Sequence, residues 1–125
     1  MKTKLLCALA LLGVGCASYP APVQHLASSV AATRGAQEAG ASQVPEAALQ
    51  LKLAEEGNAR AKKFMNKGDN EHADYQTLRA YNDAALAIAL TREESARRRA
   101  QQSAELARLA AERERESVAR QNLSQ

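Results

Sequence analysis

Residues 45–89 read PEAALQLKLAEEGNARAKKFMNKGDNEHADYQTLRAYNDAALAIA, and the short stretch Lys67-Gly68-Asp69 divides them into two helices. Lys67 is a last-turn cation, Gly68 a C-terminal stop, and Asp69 the N-cap of the helix that opens at Asn70. Pro45 fits a first helical turn, where its missing N–H costs nothing, and Glu46 complements the helix dipole there. On the first helix Ala47, Leu51, Ala54, Ala61 and Met65 share one stripe, and Leu49, Leu53, Gly57 and Phe64 form a second beside it. Lys52, Glu55, Glu56, Lys62, Lys63 and Asn66 hold the opposite arc. An apolar arc that wide predicts a central helix touching two neighbours.

The second helix carries Ala73, Thr77, Ala80/Tyr81, Ala84 and Ile88 at heptad-like spacing, flanked by Leu78, Ala85 and Ala89. Small facing residues let backbones approach closely, so Phe64, Met65, Tyr75 and Tyr81 are expected to fill the remaining space. Upstream, Pro20 and Pro22 make Ser18–Pro22 an extended spacer. Val23, Leu26, Val30 and Thr33 then recur three and four apart, with Gly35 weakening the middle and Gly40 ending the run. This predicts another helix over 22–39, and residues 40–44 connect it to the next.

The pattern changes after Leu90. Residues 92–125 contain only Leu106, Leu109, Val118 and Leu123 as larger apolar side chains. Glu93→Arg97, Glu94→Arg98 and Glu116→Arg120 stand at i,i+4 in the favourable order, each pair worth about 0.3 kcal/mol. With seven alanines they support a helix that needs little tertiary help and frays after about Ser117. The predicted fold is all-α, a small three-helix antiparallel bundle or hairpin over 22–92 with a long extended helical tail over 93–125.

Composition limits what such a fold can do. Of 125 residues, 46% are hydrophobic, but 28 are Ala, and there is one Phe and no Trp. A chain this small and this Ala-rich can seal a thin helical interface but can hardly enclose a deep dry pocket. The net charge is +3, yet removing Lys2 and Lys4 from the 17 Lys and Arg leaves 15 against 14 Asp and Glu. The basic excess therefore belongs largely to the N-terminus and does not describe a nucleic-acid surface.

Met1-Lys2-Thr3-Lys4 is a short basic segment, followed by an apolar run from Leu5 to Val14. A run of that length is too short for a bilayer core, which needs about 20 apolar residues, and it fits the h-region of a secretory signal. It ends in Leu12-Gly13-Val14-Gly15-Cys16, then Ala17-Ser18. This resembles a bacterial lipoprotein signal, whose lipobox closes on a Cys. The resemblance implies cleavage between Gly15 and Cys16, with residues 1–15 removed. Cys16 would then bear diacylglycerol and a fatty-acyl (palmitate-type) chain, and 16–21 would form the lipidated spacer. Gly13 stands where the pattern favours Leu. Ordinary secretory cleavage after Gly15, or an uncleaved helix containing Cys16 as an apolar residue, are the alternatives. Several acyl chains, at about 0.8 kcal/mol per buried CH₂, hold a small protein on a membrane essentially permanently. With Ala17 rather than Asp after the Cys, the resemblance to such signals in a Gram-negative envelope implies the periplasmic face of the outer membrane. Cys7 would leave with the signal, so the mature chain would have no Cys for a disulfide or thiolate site.

Gly40-Ala41, Pro45, Leu49, Ala54, Ala61, Lys67-Gly68-Asp69, Ala80, Asp83-Ala84 and Leu86-Ala87 resemble domain-of-unknown-function family 4398, a family of short Ala-rich envelope lipoproteins. The resemblance covers roughly residues 20–92. Gln43-Val44-Pro45 departs from the aromatic-Ala-Pro turn of many members. The peptidoglycan-binding domain of some longer relatives has no counterpart here. The family has no established activity to lend.

No constellation of side chains points to catalysis. His72, near Glu71 and Asp74, and His25, alone on its helix, lack a His or Cys partner at i,i+4, so no metal or cofactor is expected. No Ser stands in a nucleophile elbow, and no glycine-rich phosphate loop is present. Arg97-Arg98-Arg99 is the one concentrated charge and a candidate contact for an anionic surface. Consecutive residues spread over 200° of a helix, so Arg97, Arg98 and Arg99 read first as partners for Glu93, Glu94 and nearby carbonyls. The expected function is a non-catalytic, lipid-anchored envelope scaffold or adaptor. Its partners would be the membrane, through Cys16, and an envelope protein, with no nucleic acid. The alternative is a structural lipoprotein that self-associates into a homo-oligomer through a coiled coil of its C-terminal helix.

Overall fold

The computed structural model describes residues 19–124, so Gly15, Cys16 and the signal segment lie outside the described residues. Helix α1 spans Val23–Glu38, a single 3-10 turn spans Ala41–Gln43, α2 spans Pro45–Asn66, and α3 spans Asn70–Leu123. No strand occurs among the described residues. Short connections return each helix against its predecessor, and all three pack on one another, α2 against α3 most extensively. The all-α architecture with a long C-terminal helix is the one the periodicities predict.

Local chemistry explains the element ends. Gly40 and Gly68 adopt φ of 86° and 75°, the left-handed region that a side chain disfavours. Gly68 N–H donates to Met65 C=O at 2.9 Å and Asp69 N–H to Phe64 C=O at 3.0 Å, the paired bonds of a Schellman ending. Asp69 then caps α3, its Oδ1 accepting from His72 N–H at 3.4 Å. Pro45 occupies the first turn of α2.

The interior is made of small residues. Ala36, Ala41, Ala47, Leu51 and Ala87 form one buried cluster, with Val44, Ile88 and Leu90 against it. Ala54, Ala61, Ala73, Ala80 and Ala84 are also fully buried. Small side chains bring α2 and α3 close enough that a Cβ built on Gly57 would stand 2.8 Å from the Ala80 Cβ. Between α1 and α2 a polar contact joins the apolar one that Ala36 makes with the cluster. Ser29 Oγ donates to Asn58 Oδ1 at 2.7 Å, Asn58 Nδ2 donates to Thr33 Oγ1 at 2.9 Å, and Thr33 Oγ1 donates to the Ser29 carbonyl at 2.8 Å. No buried side-chain polar atom among the described residues lacks a partner. The helices are therefore held by close approach plus a closed polar network rather than by large apolar side chains.

Several expectations need correction. On α1 Thr33 is buried as expected and Leu26 and Val30 are half-buried, but the other buried positions are Ser29 and Ala36, and Val23 is exposed. α1 runs through Gly35, where an added Cβ would stand 3.8 Å from Ile88 Cδ1. Leu49 leaves the second stripe of α2 and is 57% exposed. Tyr75 and Tyr81 do not fill the seam, because both face solvent, as do Leu78, Ala85 and Ala89. Phe64 is only half-buried and stacks on His72, centroids 5.5 Å apart at 25°. The physical reason is that Ala packs on any side of a helix. An Ala-rich sequence therefore marks the contact stripe only to within one turn. The tail also stays helical to Leu123, beyond the expected fraying at Ser117.

Candidate functional site: the N-terminal clasp and the C-terminal helix

Two features stand out on this scaffold. The first is a clasp at the start of α3. Asp74 lies one turn into that helix, with Tyr19 and His25 converging on its carboxylate. The Tyr19 hydroxyl donates to Asp74 Oδ2 at 2.5 Å, and His25 Nδ1 stands 2.6 Å from Oδ1. Asn70 Nδ2 donates to the Tyr19 carbonyl at 2.8 Å, tying down the backbone beside it. Tyr19 is thus fastened to α3.

The electrostatics follow from these contacts. Hydrogen bonds from His25 and then Tyr19 favour the Asp74 carboxylate and hold its pKa below the ordinary 3.8. The same bond to Asp74, by making Tyr19 a committed donor beside a negative charge, raises the phenol above its ordinary 10.0. At the turn, His72 Nδ1 lies 2.8 Å from Asp69 Oδ1. That hydrogen bond lowers the Asp69 pKa and raises that of His72 above 6.5.

A shallow groove of about 260 Å³ beside the clasp is lined by His25, Ser28, Asp74, Thr77, Leu78 and Tyr81. Ser, His and Asp meet on its wall, but Ser28 makes no hydrogen bond to His25, and the His25 side chain is 70% exposed. Asp74 already meets Tyr19 and His25, and these two contacts order the start of the described chain against α3. Among the described residues no cluster of His, Cys, Asp and Glu is set to hold a metal, and no helix is long and apolar enough to cross a membrane.

The second feature is the C-terminal part of α3. Its last buried residue is Thr91, whose hydroxyl donates to the Ala87 carbonyl at 2.8 Å. From there to Leu123 the helix runs about 48 Å at 1.5 Å per residue, and every residue but the half-exposed Glu94 is exposed. The candidate anion contacts do not form one patch. Arg97 pairs with Glu93 at 2.6 Å, Arg98 pairs with Glu94 at 2.7 Å, and Arg99 Nε donates to the Ser95 carbonyl at 3.2 Å. Arg120 and Glu116 stand 3.8 Å apart.

The sequence reading missed the clasp, having left His25 alone on its helix and Ser18–Pro22 as an extended spacer. Tyr19 and Asp74 are 55 positions apart, His25 and Asp74 are 49 apart, and no local spacing signals such pairs. The one available hint is an aspartate on the apolar-flanked side of a helix, beside Leu78 and Tyr81.

Comparison with protein-family models, curated proteins and solved structures gives no match.

Proposed function

We propose that this chain is a lipid-anchored protein of the bacterial cell envelope, working without catalysis as a scaffold or adaptor at the periplasmic face of the outer membrane. The basic start, the apolar run and Leu12-Gly13-Val14-Gly15-Cys16 support the anchor, as does the resemblance of residues 20–92 to short envelope lipoproteins. The structural observation that supports the reading is the position of Tyr19 against α3. Cys16 precedes Tyr19 by three residues, a covalent reach of about 10 Å. Tyr19 is bound to Asp74 and Asn70 at the first turns of α3. A lipid on Cys16 would therefore hold one end of α3 at the membrane. The other end of this 54-residue helix would lie about 80 Å away. An anchor at one end and an exposed helical surface at the other suit a protein that holds a partner at a distance from the bilayer.

The test is acyl labelling of the full chain in a Gram-negative envelope. Lipid on an N-terminal Cys16, with Cys16→Ser accumulating as unlabelled precursor, supports the reading. A mature chain that starts elsewhere, or an unmodified Cys16, overturns it.

A further inference from the structure

Past Thr91 no neighbour covers α3, so its surface is sorted by spacing alone. Ala96, Ala100, Ser103, Ala107 and Ala110 recur four and three apart and share one exposed face. The face continues back into the bundle through Ala85 and Ala89, both exposed. Charge divides around it. At 100° per residue, Glu94, Glu105, Glu112 and Glu116 fall on the opposite side, and of the tail's eight arginines only Arg98 lies with them. Arg92, Arg99, Arg113 and Arg120 descend one flank of the small face at seven-residue multiples, and Arg97, Arg108 and Arg115 descend the other. Among the described residues Arg92, Arg99, Arg108, Arg113 and Arg115 make no ion pair, whereas Arg97, Arg98 and Arg120 do. Glu93, tied to Arg97, and Glu114, near the far end, are the two carboxylates on this side.

This distribution selects the occupant. A second copy on this face would set arginine row against arginine row, whether the helices ran parallel or antiparallel, because both flanks are basic. A lipid surface draws in helices with bulky apolar side chains, and residues 92–124 contain no aromatic and offer mainly Ala on this face. Small residues instead leave hollows for the larger knobs of another helix. We infer that the Ala96–Ala110 face, between its arginine flanks, docks an amphipathic helix of a partner protein whose bulky apolar stripe is bordered by Asp and Glu. Glu114 would set the register by requiring a basic or polar residue opposite it. The inference rests on the adaptor reading and names the partner's chemistry.

The test uses the full chain held in nanodiscs of neutral phosphatidylcholine and a labelled synthetic helical peptide with a Leu stripe bordered by Glu. The same peptide bordered by Lys is the control. The Glu-bordered peptide should bind at least about ten-fold tighter than the control. Arg99→Glu with Arg113→Glu should weaken it by at least about ten-fold, as should Ala107→Gln on the face, while Glu105→Gln at the back leaves it unchanged. All four positions are exposed, and helicity measured by circular dichroism confirms that the tail persists. Equal binding of both peptides, an effect of Glu105→Gln as large as that of the arginine changes, or no binding at all overturns the inference. So does preferential adsorption of the tail to phosphatidylglycerol vesicles, or a tail-dependent dimer that excludes the peptide. None of these outcomes alters the acyl-labelling result, so failure of the partner chemistry and failure of the anchor are separately visible.

Discussion

A methyl group placed on Gly57 would stand 2.8 Å from the Ala80 Cβ and 3.4 Å from the Ala80 Cα, so α2 and α3 touch there almost backbone to backbone. Gly57→Ala gains about 1 kcal/mol of helix propensity. Overpacking against a rigid helix costs about 1–3 kcal/mol. The clash is with a Cβ fixed to backbone, so the cost wins. Thermal unfolding of Gly57→Ala should fall by a few degrees, about 4–8 °C per kcal/mol for a domain this size. Adding Ala80→Gly should restore the space and recover most of the contact loss.

The Ser29–Asn58–Thr33 network makes a second prediction. Asn58→Ala removes the acceptor of Ser29 and a donor to Thr33 at a buried site, and should cost about 1–3 kcal/mol in chemical denaturation. A double-mutant cycle with Ser29→Ala should show coupling of at least about 0.5 kcal/mol. Additive effects would mean that the two side chains do not depend on one another.

Phe64 tests the corrected packing. A Phe in a closed seam costs about 3–5 kcal/mol when cut to Ala. Half-buried over His72, it should cost roughly half that, with the loss shared by His72→Ala.

The placement of turns and the small-residue character of the core were legible in the sequence. Gly40, Pro45, Gly68 and Asp69 mark chain ends by their own backbone chemistry, which is local. The facing of each helix was less legible. Leu49 and Tyr75 look like core residues by type, yet alanine packs equally well from several directions, and the helices turned to bury it. Polar pairs such as Ser29–Asn58 and His25–Asp74 depend on that facing and on contacts far along the chain, so nothing at either residue announces them. The tail's i,i+4 ion pairs were readable because both partners lie on one helix.

The pH dependence has two sides. Asp69 and Asp74 have folded pKa values below 3.8, so their contribution is full above that pH and is lost as pH falls through the folded values. His72 has a folded value above 6.5, so its contribution is full below 6.5 and is lost as pH rises through the folded value. Stability from these groups should be greatest between about pH 4 and 6.5 and decline on either side. Asp74→Asn should reduce the acid-side loss to the share of Asp69 and bring the Tyr19 phenol back toward its ordinary value, read from tyrosinate absorbance.

Residue-resolved hydrogen exchange on the full chain tests the central claim, a packed bundle that presents an unpartnered helical tail. Protection should be strongest through the buried positions of α2 and α3 up to Thr91 and fall sharply from Arg92 to Leu123, the tail exchanging faster still at raised ionic strength as its exposed ion pairs are screened. Core-level protection across Ala96–Val118 in the isolated protein, insensitive to salt and rising with concentration, would contradict the account and make the tail a buried element of an oligomer.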